Sequence, residues 1–325
     1  MRGFSLRRIA ATGCLLLCFL AACRKETVAL RSWRETPSPL IGEPLHAVWF
    51  TDAQTGYIAG GRAWESGFLL STSDGGAHWR IDTSVGVQLE HLMFNAQGDG
   101  FACGLFGLAL HRPAGDSHWY TFRTDYRRHR ACFFPDRQHG VVVSGESFGS
   151  GQVRAFGPQD FWRLDTLIEF PAELGDVWFS DKTTVHAVGM GWVMRSDDGG
   201  LHWRRLPLTG DFFQSVHFPS PAVGYICGSS GSLLKTTDGG RNWRFLRRAK
   251  AVDSRKRRFK ALWFASPEKG WLVGEDGLFL RTEDGGENWA KVNEAPDNVN
   301  FTDIYAFERM GWAVSDKGQI FYFED

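Results

Sequence analysis

The sequence has few long apolar runs, few tyrosines and, beyond residue 23, no close pairs of cysteines. One apolar run of 12 residues, Ile9 to Leu20, stands near the start. It is too short to span a bilayer comfortably. Beyond residue 22 no helical periodicity is visible, which excludes a helical bundle or a helical membrane domain. The chain has six cysteines, of which Cys14, Cys18 and Cys23 fall in the first 23 residues. Cys103, Cys132 and Cys227 remain, an odd number without close spacing, so a disulfide framework is not expected. No Cys-x-x-Cys or His-x-x-x-His pattern points to a metal, and no motif points to a cofactor. No excess of one charge exists either, with 37 basic and 37 acidic residues. Nucleic acid is therefore not an expected partner.

The first 22 residues carry Arg2, Arg7 and Arg8 ahead of the apolar run. The run ends in Leu20-Ala21-Ala22-Cys23, which resembles the lipobox of bacterial lipoproteins. Residues 1–22 are thus expected to be a signal peptide, with Cys23 lipidated and 23–29 forming anchor and linker. Two or more acyl chains would hold the protein stably on a membrane. Arg24, where an aspartate retains some lipoproteins in the inner membrane, favours the outer membrane, facing periplasm or cell surface. Loss of three arginines leaves 34 basic residues against 37 acidic ones.

Internal repetition dominates the rest. Four copies of one phrase are present: Asp74 to Trp79, Asp198 to Trp203, Asp238 to Trp243 and Asp284 to Trp289, each with two glycines after the aspartate. A second phrase is an aromatic residue, five positions, then usually a glycine (Val185 in the fourth unit) and a hydrophobic run. Its aromatics are Phe50, Phe94, Phe134, Phe179, Phe218, Phe264 and Tyr305, spaced by 39 to 46 residues. Each unit contains four short segments rich in aromatic and β-branched residues and punctuated by glycine, so each reads as four strands, a to d. Units of this length with four strands are propeller blades.

The fold expected is all-β: a seven-bladed β-propeller over 30–325, with four-stranded blades. Blades 2 and 3 keep tryptophans, Trp119 and Trp162, without a full Asp phrase. The seventh unit stops at Asp325, where strand d should begin. The segment around Trp33 supplies that strand, closing the ring and removing a free sheet edge. Asp303 interrupts the apolar pattern of the last strand a. In the Asp phrase the carboxylate should accept hydrogen bonds from its own turn. The tryptophan ring packs, and calcium is not expected, because each phrase brings one regularly placed carboxylate.

The phrase Asp-Gly-Gly-x-x-Trp, preceded by Gly, an aromatic and a hydrophobic run, resembles the Asp-box (BNR-like) propellers related to the photosystem II stability/assembly factor. The resemblance covers nearly all of the chain after the signal. It implies a non-catalytic propeller on the lumenal or periplasmic side that helps a membrane-protein complex assemble; the propeller itself is expected to be monomeric. It also implies an arginine-rich patch on one face for a protein partner.

Two basic clusters fit that expectation: Arg123, Arg127, Arg128, His129 and Arg130, and Arg247, Arg248, Lys250, Arg255, Lys256, Arg257, Arg258 and Lys260. Both fall between strand d of one blade and strand a of the next. Those connections share a face with the b–c loops, including the one that carries Arg62, Trp64 and Glu65. The Asp boxes lie on the opposite face. Asp boxes also occur in sialidases and other glycoside hydrolases, so a hydrolase is the competing class. Seven units and few tyrosines match it poorly; Tyr120 and Tyr126 are the ones not accounted for by strand positions. Two facing carboxylates in the central channel would favour it. A carbohydrate-binding surface protein, with Trp64 as a stacking platform, is the third reading.

Overall fold

The structure is a computed structural model that describes residues 27–146, 149–156, 164–249 and 258–325. The signal, Cys23, Trp162, Lys250 and Arg255 to Arg257 lie outside the described residues. Seven antiparallel sheets form a seven-bladed propeller, each blade running a to d from the central channel outward. The innermost strands are Leu45–Phe50, Leu89–Phe94, His129–Phe133, Leu174–Phe179, Phe213–His217, Phe259–Phe264 and Phe301–Ala306. The one helical element among the described residues is a three-residue turn, Leu105–Gly107.

The repeat phrases have a direct packing reason. In blade 1 the ring of Phe50 lies across the backbone of Gly56, where an added Cβ would stand 2.4 Å from it. The residue after that glycine then stacks on the strand-a ring of the next blade. Trp312 of blade 7 stacks on Phe50 of blade 1 at 3.5 Å, and Tyr225 of blade 5 on Phe264 of blade 6 at 3.5 Å. Phe101 on Phe134, Tyr57 on Phe94 and His186 on Phe218 follow at 4.1 to 4.5 Å. Each such pair contributes about 0.5–1.5 kcal/mol beyond the area it buries.

The seventh repeat departs from the sequence reading by one place. Ala306, not Tyr305, holds the position of Phe50, since Ala306 pairs with Gly311 as Phe50 pairs with Gly56. The ring of Phe323 fills the vacated space, 5.6 Å from Trp271 and directly over Gly311. Tyr305 instead points into the channel.

Ring closure is as expected. Ser32–Thr36 pairs antiparallel with Ile320–Glu324 as the outer strand of blade 7. Trp33 contacts Phe279, Phe301, Phe321 and Phe323 with centroids 5.1 to 6.3 Å apart. Strand pairing starts earlier than the boundary at residue 30. Thr27–Val28 pairs in parallel with Ala290–Val292, a fifth strand on blade 6. Leu30 is buried between the two blades.

The Asp boxes are built alike. Asp74 accepts from the Thr72 hydroxyl at 2.8 Å and the His78 N–H at 2.9 Å, and Thr72 accepts from the Gly76 N–H at 3.0 Å. Ser196, Thr236 and Thr282 do the same for Asp198, Asp238 and Asp284. The His78 N–H holds the Asp74 carboxyl down to about 2. At Asp238 burial pulls upward, but the bonds from Asn242 outweigh it and bring the carboxyl to about 2 as well. The tryptophans Trp79, Trp243 and Trp289 stand edge-on to Phe50, Phe218 and Phe264, and Trp119 does so to Phe94.

Two stability outcomes are expected in urea unfolding. Trp33→Ala should cost roughly 3–5 kcal/mol, because it empties the closure contact. Trp243→Ala should cost more than Asp238→Ala, by about 3 against about 1 kcal/mol, since the first removes a ring from an interface and the second a turn bond.

Candidate docking face and channel mouth

All seven inner strands share an irregularity at their second residue. A bulge re-aims the side chain it carries. Here the re-aimed residues are His46, Glu90, Arg130, Gly175, Gln214, Lys260 and Thr302. Together they rim a cup of about 360 Å³ at the channel mouth. Sequence reading singled out Arg130 and Lys260 for their charge alone. The common signal, the place four residues before the repeat aromatic, or before Ala306 in the seventh unit, went unread.

Below the rim the third residues of three strands act as clamps. Asp303 accepts the N–H of Val48 in blade 1 at 2.8 Å, and Asp176 accepts that of Val216 in blade 5 at 2.8 Å. His91 takes the N–H of Cys132 in blade 3 at 3.5 Å. An inner strand's channel-facing N–H groups would otherwise be unpaired. Asp303 therefore belongs in strand a because it ties the last blade to the first. Burial pushes it up to about 7, against the opposing bonds from Val48 and Ile304. Burial raises Asp176 as well.

The cup is blind. Trp49, Trp178, Trp263, Tyr305 and His217 close the channel beneath it, with ring centroids 4.2 to 6.3 Å apart. Besides Glu90 at the rim, two carboxylates, Asp176 and Asp303, thus do line the channel, the feature that would favour a hydrolase. Each, however, is bonded to N–H groups of its own and the next strand. Cys103, Cys132 and Cys227 are buried and free.

The basic clusters divide on inspection. Arg128 and Arg130 reach the cup, held by Glu90 at 2.7 Å and Glu173 at 3.4 Å. Arg127 bonds Ser150 and Glu169. His129 leaves the surface group: strand alternation turns it inward, between Ser144 and Thr124, and burial lowers it to about 4. On the far side, Arg247 and Arg248 lie over Phe259 and Phe245, and Arg258 pairs with Glu275 at 3.8 Å. Arg62 bonds Glu43 and the carbonyl of Gly42.

Sequence reading missed a second cleft, of about 240 Å³, which runs across blades 1 to 3 beside the cup. Trp64, Phe106 and Tyr126 flank it, and Arg128 lines both cavities. Tyr126, Ile41 and Trp64 are 84, 82 and 75 % exposed, the highest among the large hydrophobic residues described. Ile41 lies in the connection into strand a of blade 1, Trp64 in a b–c loop and Tyr126 in a d–a connection. All three are therefore on the mouth face.

A blind cup, inward-facing strand clamps and Asp-box turns on the far face define a seven-bladed Asp-box propeller of the BNR type. The sequence profile described as "Photosynthesis system II assembly factor YCF48" matches residues 206–300. The chain is similar to photosystem II assembly factors. It is 36 % identical over 184 residues to the "Photosystem II assembly protein Ycf48" of Thermosynechococcus vestitus, covering 52 % of this chain and 51 % of that one. It is 38 % identical over 88 residues to the "Photosystem II assembly lipoprotein Ycf48" of a Synechococcus species, covering 25 % and 26 %. The chain thus spans about half or less of the length of these curated relatives. A solved structure, "YCF48 bound to D1 peptide", superposes with a TM-score of 0.71 at 18 % identity, over 93 % of this chain and 100 % of that one; this likeness establishes the fold. Both curated relatives are named as assembly proteins.

The raised Asp303 has a pH consequence. Its folded value, about 7, lies above the ordinary 3.8, so folding takes up a proton between those values and stability falls as pH rises through that window. Relative to Asp303→Asn, the native chain should therefore be more stable near pH 5 than near pH 8. Urea unfolding of both at the two pH values checks the sign.

Proposed function

We propose that this chain is a non-catalytic, lipid-anchored factor that binds an exported segment of a membrane protein and supports assembly of its complex. The observation that carries this reading is the gathering of the three most exposed large hydrophobic residues, Ile41, Trp64 and Tyr126, on the face that also holds the cup and the described arginines. Exposed apolar groups concentrated on one face mark a contact surface. Arginines around them add attraction for acidic segments and set orientation. The candidate residues are Arg62, Trp64, Arg127, Arg128, Arg130, Arg247, Arg248 and Arg258, with Arg255, Lys256 and Arg257 on the sequence alone. That a relative carries a D1 peptide supports a peptide-like partner.

Anchoring at Cys23 is supported by the lipobox-like Leu20 to Cys23 and by the word lipoprotein in a relative's name. Export to the periplasmic or surface side, with the outer membrane favoured by Arg24, and a monomeric state complete the reading. A hydrolase is disfavoured because Asp176 and Asp303 are engaged in strand clamps.

The test is a photo-activated cross-linking residue at Ile41 on the mouth face, and another at Leu201, 40 % exposed near the Asp box of blade 4. In native membranes the probe at Ile41 should capture an exported segment of an integral membrane protein, and the probe at Leu201 should not. No product at Ile41, or a stronger one at Leu201, overturns the reading.

A further inference from the structure

We propose that the cup at the channel mouth binds a small zwitterion of the α-amino-acid type, with its carboxylate on Arg130 of blade 3 and its ammonium on Asp176 of blade 4. This goes beyond the docking reading and does not rest on it.

The first support is the state of Arg130. Two other cations of the cup are spent: Arg128 donates to Glu90 at 2.8 Å, and Lys260 pairs with Glu275 at 3.2 Å. Arg130 differs. Its nearest carboxylate oxygen, on Glu173, stands 3.4 Å from Nε, and among the described residues it donates no hydrogen bond. Its side chain is 19 % exposed, and burial pulls the guanidinium below its ordinary value. Polar groups so far from bulk water are normally bonded, so a set of unspent N–H groups calls for an acceptor. The planar fork of a guanidinium matches the two oxygens of a carboxylate.

The second support is Gly175, which precedes Asp176 at the rim. Its φ is not positive, and an added Cβ would meet nothing nearer than the Phe213 carbonyl oxygen at 3.7 Å. Neither backbone angle nor close packing therefore requires glycine there. The missing side chain leaves open space beside Asp176, which lines the cup and accepts the Val216 N–H at 2.8 Å. A carboxylate has about four acceptor sites, so that clamp leaves capacity for an ammonium. Burial raises Asp176, and a cation set against it would offset that burial.

The third support is the layering of charge. Rim and floor residues are neighbours in sequence, so the two layers lie about 3.3 Å apart, one strand step. An α-amino acid carries its two charges on one carbon. That matches a cation at the rim of one blade and an anion one step down in the next. A simple anion would meet Glu90, Asp176 and Asp303 in the same cup, and a simple cation would meet Arg128, Arg130 and Lys260. A ligand with both charges avoids each repulsion. The rings among the lining residues are the imidazoles of His46 and His91, which give a saccharide no broad stacking platform. The volume of about 360 Å³ lies within the ~300–1,000 Å³ of small-molecule sites. Gln214 adds a rim amide that makes no side-chain hydrogen bond among the described residues, so a polar side chain on the ligand is expected.

The test uses the chain from residue 23 onward and each of the common L-amino acids at millimolar concentration. One or more with a polar side chain should raise the melting temperature. Calorimetry then compares the best of them with the amine that lacks its carboxylate and the acid that lacks its amino group. Each analogue should bind at least about tenfold more weakly. Arg130→Gln should weaken the amino acid by a similar factor and leave the amine unchanged. Asp176→Asn should weaken the amino acid and leave the acid unchanged. Gly175→Leu, at a place with room for a side chain, should abolish binding without lowering the melting temperature of the free protein. The proposal is overturned if no amino acid shifts the melting temperature, if either analogue binds as well as the amino acid, or if Gly175→Leu binds normally. None of these failures touches the cross-link at Ile41, which tests the docking reading separately.

Discussion

The ring-on-ring contact between neighbouring blades is the constraint on which the molecule depends. Where a strand-a aromatic lies across a glycine in strand b of its own blade, the glycine leaves the space for it, and the preceding blade's strand-b residue can come down on it; in blade 4 Val185 stands in the glycine's place. Phe50, Gly56 and Trp312 show the arrangement at the closing seam. Each contact fixes both the distance and the tilt between two sheets. Repeated around a circle, a fixed tilt selects a blade number. Where the ring is missing, as at Ala306, Phe323 from the same blade takes its volume, so the spacing is kept although the source changes.

Two different tasks fall on acidic residues in this molecule. Asp74, Asp198, Asp238 and Asp284 are stabilised as anions by N–H and hydroxyl donors of their own turns. Asp176 and Asp303 accept N–H groups across a blade boundary, in a setting that resists charge. The outer turns thus hold each blade's last strand in place, while the inner carboxylates hold blades to one another near the axis. Between them the mouth face is freed from structural duty, which allows its loops to differ from blade to blade.

Much of the fold was legible because its repeat is chemical as well as numerical. Aromatic, glycine and tryptophan recur at positions where volume is decisive, and such positions tolerate few alternatives. The hydroxyl two places before each box aspartate was equally visible but overlooked, since serine and threonine are common in strands. Asp303 looked like a break in pattern because its role is to bond a strand 255 residues away, which no local reading can reveal. The cup was hidden for a related reason: its rim residues share a position but not a type, running from glycine to arginine. His129 was misplaced by reading a charge run without the alternation of the strand beneath it. Trp64 was legible as an exposed aromatic, but Phe106 was not, because its oddity is a backbone angle, a φ of 57° in a b–c turn.

The strand around Trp33 has a temporal consequence. It leaves the ribosome among the first residues of the propeller, and the strand it pairs with, Ile320–Glu324, leaves last. Until then the first blade lacks the Trp312 ring that seals it, and the outer strand has no neighbour. Completion of the ring therefore waits until every blade has been made. A chain cut short at any blade would leave sheet edges and aromatic faces uncovered, the features that quality-control proteases and chaperones recognise. Topology here works as a proofreading step on length.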